Sequence, residues 1–298
     1  MGGAVVALGN FDGVHLGHQR VLGRAVEVAR GCGREVLAAT FDPHPRAVLK
    51  PRKEPGLLTT LEVRGEALIK HGADRVHVVR FDEELSKKSP EEFVKDVLIG
   101  ELKASAIVVG ENFRFGHKAA GDVEDLKRLM EERGGTVHTV RISGVNGEEG
   151  INSTRIRELV AAGEVSQAAT LLGRPYLLRG EVVVGDKRGR TIGFPTANVS
   201  PDAAAIIPAR GVYAGFVRVE DLEYAACTNV GVAPTFDRNE SRVEAYLLDF
   251  EGDLYGKTVD VSFTHRIRGE KKFAGIEELK RQIAQDVEEA RRIADDKV

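Results

Sequence analysis

The sequence predicts an α/β domain with a parallel sheet, followed by an antiparallel β domain that ends in one long helix. The chain has 298 residues, more than one average domain needs. Strand and helix patterns alternate up to about residue 160, which is typical of a parallel sheet. After about residue 175, strand-like runs follow one another between Gly, Pro, Asn and Asp. We therefore expect domains at 1–160 and 176–298, joined by a helical linker at 161–175.

Five apolar runs in the first half have the length of buried strands, and helical patterns separate them. One helix has a strong start signal, because Ser89 and Glu92 can form a capping box around Pro90 at the first helical position. Buried strands that alternate with helices indicate a sheet with helices on both faces. The five runs are Ala4–Leu8, Glu35–Phe41, Val76–Phe81, Ala106–Gly110 and Thr136–Ile142.

The second half shows the alternation of half-buried strands. In the run Thr258–Arg268, apolar residues at 259, 261 and 263 alternate with polar ones. This pattern predicts an antiparallel sandwich or barrel and leaves the choice between them open. The final helix carries an apolar stripe that we expect to pack on this domain. The stripe consists of Ile276, Leu279, Ile283, Val287 and Ala290.

Composition argues against several classes of protein. A net charge of −3 gives no sign of a nucleic-acid or membrane-surface binder. No apolar run approaches 18 residues and no signal-peptide pattern is present, so we expect a cytoplasmic protein. Cys32 and Cys227 lie far apart and outside any motif, as expected in a reducing compartment. The cysteines and histidines form no four-ligand set, so we expect no structural zinc.

The string GNFDGVHLGH, residues 9–18, follows the first predicted strand and begins the first helix. Ligands of parallel α/β sheets bind at such a point, and the amide groups of a helix start favour an anion. His15 and His18 are therefore candidate phosphate ligands. Zinc binding and a purely structural role are the alternatives, and a third zinc ligand at suitable spacing is missing. The string is neither a dinucleotide fingerprint nor a P-loop.

The string GDKRGRTIGFPTANV, residues 185–199, is the most informative part of the second half. Thr196 and Asn198 are two residues apart, which places both side chains on one side of an extended segment. Hydroxyl and amide oxygens suit Mg²⁺, although a loop with a turn asparagine is the alternative. Glu244 stands between the apolar Val243 and Ala245, an unusual place for a solvated carboxylate.

These strings are parts of a longer resemblance that covers essentially the whole chain. His-x-Gly-His after a first strand is the signature of nucleotidyltransferases, and the fuller string resembles the prokaryotic bifunctional riboflavin kinase/FAD synthetase family. The resemblance implies a Rossmann-like nucleotidyltransferase domain followed by a split β-barrel kinase domain. Further matching strings, in order, are TFDPHP, VGENFRFGHKAAGD, INSTRIRELV, PTAN, NVGVAPTF, VEAYLLDFEGDLYG and RGEKKF.

The resemblance implies roles for residues of the first domain, which in that family transfers AMP from ATP to FMN. His15 and His18 would hold the ATP phosphates and stabilise charge on the leaving pyrophosphate. Asn112 would orient the reacting groups, although relatives often have Asp there, and many have Ser in place of Asn152. The remaining implied nucleotide and phosphate ligands are Gly9, Asn10, Phe11, Ser153, Thr154 and Arg157.

In the second domain the resemblance implies phosphorylation of riboflavin by ATP. Thr196 and Asn198 would hold Mg²⁺, and Glu244 would be the general base. Arg268 and Glu270 would belong to a flavin-side loop, with an ordinary surface charge pair as the alternative. The loop implied to cover the nucleotide phosphates contains Gly185, Lys187, Gly189 and Arg190, the last of which could equally be a solvated arginine.

The implied function is therefore two consecutive steps, riboflavin to FMN and FMN to FAD, with ATP as co-substrate and without nucleic-acid or membrane partners. Three alternatives stay open. The chain could be a nucleotidyltransferase with another acceptor, an enzyme that has lost one activity, or a flavin-binding protein without catalysis. Analysis of the products formed from riboflavin, ATP and Mg²⁺ distinguishes them.

Overall fold

The computed structural model describes residues 3–49, 56–142, 150–185, 193–232 and 241–296. The chain divides into two compact units. The first comprises Met1–Pro55 and Leu61–Ser153, and the second comprises Gly56–Thr60 and Thr154–Val298. A short segment early in the chain thus belongs to the second unit. The domain limits at 160 and 176 stay predictions.

The first unit contains a five-stranded parallel sheet in the order β3-β2-β1-β4-β5. The predicted parallel sheet is thereby confirmed. The strand order reverses between β1 and β4, and ligands of open α/β sheets bind beyond the carboxyl ends of the strands at such a point. The strands are β1 Ala4–Leu8, β2 Val36–Asp42, β3 Arg75–Arg80, β4 Ala104–Gly110 and β5 Thr136–Val140.

Hydrophobic cores lie on both faces of this sheet. Val5 and Ala7 of β1 face one core, and Val6 and Leu8 face the other. Helices therefore cover both faces, as predicted. The helices are α1 Leu16–Cys32, α2 Pro45–Leu49, α3 Leu61–Lys70, α4 Glu83–Ser86, α5 Pro90–Glu92, a π-helix at Phe93–Glu101, a 3₁₀ helix at His117–Ala119, and α6 Val123–Glu131.

The predicted capping box at the start of α5 is present. The Ser89 hydroxyl accepts the Glu92 backbone N–H at 3.1 Å, and the Glu92 carboxylate accepts the Ser89 N–H at 2.8 Å. The following residues form a π-helix, which the sequence pattern does not predict. Residues close in sequence form the cap, whereas π-helices are rare and a helical sequence pattern indicates an α-helix.

The second unit contains a closed antiparallel barrel in the order β10-β7-β6-β11-β8-β9. The sequence pattern allowed either a sandwich or a barrel, and the structure is the barrel, in which every strand has two neighbours. Its strands are β6 Tyr176–Val183, β7 Ala197–Pro201, β8 Gly211–Val219, β9 Leu222–Val232, β10 Ser241–Leu247 and β11 Thr258–Arg268. Its helices are α7 Ser153–Ala162, whose first residue belongs to the first unit, α8 Val165–Leu172 and α9 Ile276–Asp295.

The C-terminal helix α9 packs on the barrel, as predicted from its apolar stripe. Val287 and Ala290 pack against a cluster that contains Val212 and Cys227. Ile276 is the exception, because as the first residue of the helix it is 57% exposed. No helix within the described ranges is long and apolar enough to cross a membrane.

Candidate active sites

The loop between β1 and α1 has an unusual backbone. Phe11 and Val14 have φ angles of 50° and 40°, in the left-handed region that non-glycine residues rarely adopt. Phe11, Asp12 and Val14 are nevertheless buried. Such a conformation is unfavourable for a β-branched or bulky residue and persists where surrounding contacts hold it. Contacts from other segments therefore have to hold this loop in place.

Hydroxyl groups from two distant segments bind the carbonyl groups of the loop. The Thr40 hydroxyl donates to the Asn10 carbonyl at 2.9 Å, and the Ser153 hydroxyl donates to the Asp12 carbonyl at 3.0 Å. Ser153, a predicted phosphate ligand, thus also positions the loop. Asn10 itself is exposed beyond the end of β1.

A buried arginine forms the third support of the loop. Arg64 of α3 is 1% exposed. Its Nη1 donates to the Thr40 hydroxyl at 3.2 Å and to the Phe41 carbonyl at 3.3 Å. Its Nη2 lies 3.9 Å from a carboxylate oxygen of Asp12. Sequence reasoning missed Arg64 and Asp12, because their partners lie far away in sequence and an arginine in an amphipathic helix gives no local signal.

The loop leads into His15 and His18. His15 is the N-cap of α1, and its Nδ1 accepts the His18 backbone N–H at 3.3 Å. A ring nitrogen that accepts must carry a lone pair, so the proton of the neutral His15 ring belongs on Nε2. The two imidazole rings stack with their centroids 3.6 Å apart. The rings of Phe11 and His18 pack in a T-shaped arrangement, with 5.2 Å between centroids. The two histidines therefore form one unit at the helix start.

Two glycines allow this arrangement beside the end of β4. A Cβ atom on Gly17 would lie 2.6 Å from Ile142 and 3.1 Å from the His15 ring. A Cβ atom on Gly110 would lie 2.6 Å from Ile142 and 3.1 Å from the side-chain oxygen of Asn112. Ile142 thus contacts both the start of α1 and the end of β4, which brings Asn112 to the same end of the sheet as the histidines.

Two further predicted phosphate ligands, Thr154 and Arg157, belong to the second unit. Thr154 is exposed on α7. Arg157 is buried, and its Nε donates to the Gly56 carbonyl at 2.8 Å. Binding of phosphate by these residues stays a prediction.

In the barrel, strand register brings three polar side chains together. Glu244 of β10 lies directly opposite Asn198 of β7 on one side and Asn229 of β9 on the other. Val243 and Ala245 are fully buried. Because side chains alternate along a strand, Glu244 points to the opposite face from these apolar neighbours. This explains its place in an apolar run, and Glu244 retains partial exposure.

Arg242, which was not predicted from the sequence, contacts two of these side chains. Its Nε and Nη2 both donate to Asn198 Oδ1, at 2.9 and 2.7 Å. Its Nε also lies 3.1 Å from a Glu244 carboxylate oxygen. Asn229 Nδ2 donates to the other Glu244 oxygen at 3.5 Å. Only the fold reveals this set, because its members come from three strands.

Of the predicted loop and metal-binding residues, the structure brings Gly185 and Asn198 into contact. The Asn198 amide lies against Gly185, where any Cβ atom would collide with it. Thr196 immediately precedes β7 and is partly exposed. Lys187, Gly189 and Arg190 lie outside the described residues.

The oxygen ligands at the start of β7 suit magnesium better than zinc. Asn198 offers a carbonyl oxygen and Thr196 a hydroxyl oxygen, both of which are hard ligands. Asn198 Oδ1 accepts hydrogen bonds from the Arg242 guanidinium, which shows that this oxygen is oriented as an acceptor. Within the described ranges, no group of three or more His, Cys, Asp or Glu side chains is arranged to hold a metal ion. The expected absence of structural zinc stays a prediction.

Arg268, the last residue of β11, and Glu270, two residues after it, have different contacts. Arg268 makes a bidentate ion pair with the buried Asp286 of α9, with Nε–Oδ1 and Nη2–Oδ2 distances of 2.9 and 2.6 Å. It thereby anchors α9 to the barrel. Glu270 is exposed and lies near Gly231. A flavin contact by either residue stays a prediction.

Comparisons with known proteins also divide the chain into an N-terminal and a C-terminal part. Family models for FAD synthetase and riboflavin kinase match residues 1–155 and 172–294. The bifunctional riboflavin kinase/FMN adenylyltransferase of Bacillus subtilis is 39% identical, over 96% of this chain and 91% of its own. That of Escherichia coli K12 is 37% identical, over 95% and 90%. A crystal structure described as a macrolide-efflux protein from Streptococcus pneumoniae is 34% identical, with a TM-score of 0.89, and covers 97% of this chain and 94% of its own.

Proposed function

The chain belongs to the bifunctional riboflavin kinase/FMN adenylyltransferase family, and we propose which residues perform each of its two reactions. The C-terminal domain phosphorylates riboflavin to FMN with ATP, and the N-terminal domain adenylylates FMN with ATP to give FAD and pyrophosphate. One observation carries the assignment of residues. Each family match contains its own cluster of polar side chains, around His15 and His18 in the first and around Glu244 in the second.

In the adenylyl transfer, a phosphate oxygen of FMN attacks the α-phosphorus of ATP and the bond to pyrophosphate breaks. His15 and His18 bind the ATP phosphates and stabilise the charge that develops on the leaving pyrophosphate. The hydrogen bond from the His18 N–H to His15 Nδ1 supports this role, because it leaves the Nε2 proton to be donated to a phosphate oxygen. The amide groups at the start of α1 add positive partial charge. Catalysis then depends on positioning and electrostatics, without a covalent intermediate.

The neighbouring residues complete this site. Asn10 and Asn112 follow the neighbouring strands β1 and β4 and contact the phosphates or the reacting groups. Gly9 and Phe11 present their backbone to the nucleotide. Ser153 acts at least partly by holding the Asp12 carbonyl, which its hydrogen bond supports.

In the phosphoryl transfer, Glu244 accepts the proton of the riboflavin 5′-hydroxyl while that oxygen attacks the γ-phosphorus of ATP and ADP leaves. A positioned base typically contributes a factor of about 10²–10⁴ to such a step. The hydrogen bond from Asn229 supports this role, because it orients the Glu244 carboxylate.

Thr196 and Asn198 would hold a Mg²⁺ ion in this site. When bound, the ion would supply neutralisation of the phosphate charge. Gly185 leads into the loop that covers the nucleotide phosphates. The proposal extends to Lys187, Gly189 and Arg190 of that loop, and to Arg268 and Glu270 on the flavin side.

The proposal also places the protein in the cytoplasm and gives it small-molecule substrates only. The absence of a strong positive charge supports the lack of a nucleic-acid partner.

The test is chromatography of the products formed from riboflavin, ATP and Mg²⁺ by the full chain. We expect FMN first and FAD after it. FMN without FAD would mean that only the kinase is active, and supplied FMN should then stay unconverted. If neither product forms while other phosphorylated acceptors are adenylylated, the assignment of both sites is wrong.

A further inference from the structure

We propose that Arg242 is a built-in competitor of the divalent cation: its guanidinium holds Asn198 Oδ1 in the metal-free enzyme and must leave that oxygen when the metal binds. This inference rests on the proposed role of Asn198 as a metal ligand. It adds a step to the kinase that the reaction itself does not require.

The geometry at Asn198 carries the first part of the argument. Nε and Nη2 of Arg242 both donate to the same oxygen, at 2.9 and 2.7 Å. Both N–H groups of one guanidinium therefore converge on this oxygen, and their positive charge repels a cation that approaches the same atom. Asn198 is also 8% exposed, and its amide is pressed against Gly185. A metal ion can therefore use this oxygen only if Arg242 withdraws.

The second part of the argument concerns Glu244. It lies two residues after Arg242 on the same strand, so both side chains share one face of the sheet. The Arg242 Nε lies 3.1 Å from the Glu244 carboxylate, and Asn198 is the direct cross-strand neighbour of Glu244. One guanidinium thus contacts both the proposed metal ligand and the proposed base.

Withdrawal of Arg242 has two consequences in this arrangement. It opens Asn198 Oδ1 to the cation, and it removes the ion pair from the Glu244 carboxylate. The base is then released when the metal arrives. The displaced guanidinium carries a positive charge close to the position that the proposed function gives to the nucleotide phosphates, where it would interact favourably with them.

The experiment measures metal binding by the nucleotide-free full chain. Mn²⁺ is added to the wild type, and the free ion is followed by electron paramagnetic resonance. Arg242→Gln removes the charge at similar length and should bind Mn²⁺ at least about fivefold more tightly. Arg291→Gln removes an exposed arginine that pairs with Asp249 on the same domain, and it should leave the affinity unchanged. The gain should disappear in the double variant Arg242→Gln/Asn198→Ala.

Equal or weaker Mn²⁺ binding by Arg242→Gln overturns the inference, as does a gain that persists in the double variant. Circular dichroism establishes that each variant is folded. If Arg242→Gln is not folded, Arg242→Lys takes its place, with a smaller gain expected and the same result overturning the inference.

A parallel kinase assay separates this inference from the proposed function. If Asn198→Ala still phosphorylates riboflavin with Mg²⁺ and ATP at the wild-type rate, the metal-ligand role of Asn198 is wrong. If Asn198→Ala is inactive but Arg242→Gln and the wild type bind Mn²⁺ equally, only the competition by Arg242 is wrong.

Discussion

Glu244 and Asn198 are direct cross-strand neighbours in the barrel, although 45 residues separate them in the sequence. Their side chains lie on the face opposite the buried Val243 and Ala245. The register between β10 and β7 therefore places a carboxylate beside an amide oxygen at a partly exposed surface. We expect riboflavin phosphorylation to depend on these barrel residues and FMN adenylylation to depend on residues of the first domain.

Glu244→Gln removes the proposed proton acceptor with almost no change in size. We expect riboflavin phosphorylation to fall by about 10²–10⁴-fold, the usual contribution of a general base. Conversion of supplied FMN to FAD should continue at the wild-type rate. Glu251→Gln, at an exposed position of the same domain, is the control. Loss of FAD synthesis from supplied FMN in Glu244→Gln would show that the two sites are not independent.

His18→Ala removes one proposed donor to the ATP phosphates. FAD formation should fall by about 10²–10³-fold, as for the loss of a single charge-stabilising donor, and FMN formation should be unaffected. His15→Asn should have a similar effect while retaining a side-chain acceptor at the N-cap of α1. His77→Ala, at a half-exposed position on β3, is the control. Near-normal FAD synthesis by both variants would contradict the phosphate role.

Two glycines of α1 provide a matched pair of substitutions. A Cβ atom on Gly17 would press on Ile142 and on the His15 ring, whereas one on Gly23 would meet no atom within 4 Å. Gly17→Ala should therefore reduce FAD synthesis at least tenfold. Gly23→Ala should retain activity and raise the free energy of unfolding by about 0.5–1 kcal/mol, because alanine favours the helix. Steady-state assays and urea unfolding of the pair decide this, and equal activity of the two would refute the steric argument.

Asp260 predicts a particular dependence of stability on pH. It is 5% exposed, and burial opposes its charge, but hydrogen bonds from Arg179 and Arg218 outweigh this and hold its pKa below the usual range. A carboxylate with a lowered pKa stabilises the fold above its unfolded-state pKa, and this contribution is lost as the pH falls through the folded-state pKa. Asp260→Asn should cost about 1.5–3 kcal/mol at pH 7, the usual range for a hydrogen bond to a charged group, and less at pH 3.

Denaturant unfolding at both pH values measures this difference. Asp249→Asn, which removes an exposed carboxylate, should change stability little at either pH. A penalty for Asp260→Asn that is as large at pH 3 as at pH 7 would show that the charge of Asp260 is not the source of its contribution.

The two thiols should differ sharply in reactivity. Cys32 is exposed at the end of α1, whereas Cys227 is buried, and burial, with a smaller contribution from Asp286, raises its pKa to about 12. Because the thiolate is the reactive form, maleimide at pH 8 should label only Cys32 in the folded protein. Mass spectrometry should show one adduct, none in Cys32→Ser, and two after unfolding in urea. Comparable labelling rates of both thiols in the folded protein would contradict this.

Periodicity and short motifs predicted the strands, the parallel sheet and the start of α5. These features depend on neighbouring residues, as the Ser89–Glu92 cap shows. The π-helix after that cap was not predictable, because the pattern of Phe93–Glu101 is that of any buried helix. The exposure of Ile276 was also missed, since a stripe does not reveal where the underlying surface ends.

The site residues divide in the same way. His15, His18, Asn198 and Glu244 lie in sequence strings that resemble known motifs, and they were predicted from these strings. Arg242 does not, because its partner Asn198 becomes a neighbour only through strand register. A contact between residues that are distant in sequence has no counterpart in the local sequence pattern, and the contacts of Arg242 with Asn198 and of Arg64 with Thr40 are of this kind.

The segment Gly56–Thr60 belongs to the barrel unit, although residues of the first unit precede and follow it. Leu57 exchanges backbone hydrogen bonds with Ala204 and Ile206, and Leu58 is 2% exposed. If one catalytic domain were exchanged between two such enzymes, the segment Gly56–Thr60 of one parent would therefore pack on the barrel of the other. We expect a chimaera to fold when its two parent enzymes have the same residues at these five positions, in addition to a complete exchanged domain.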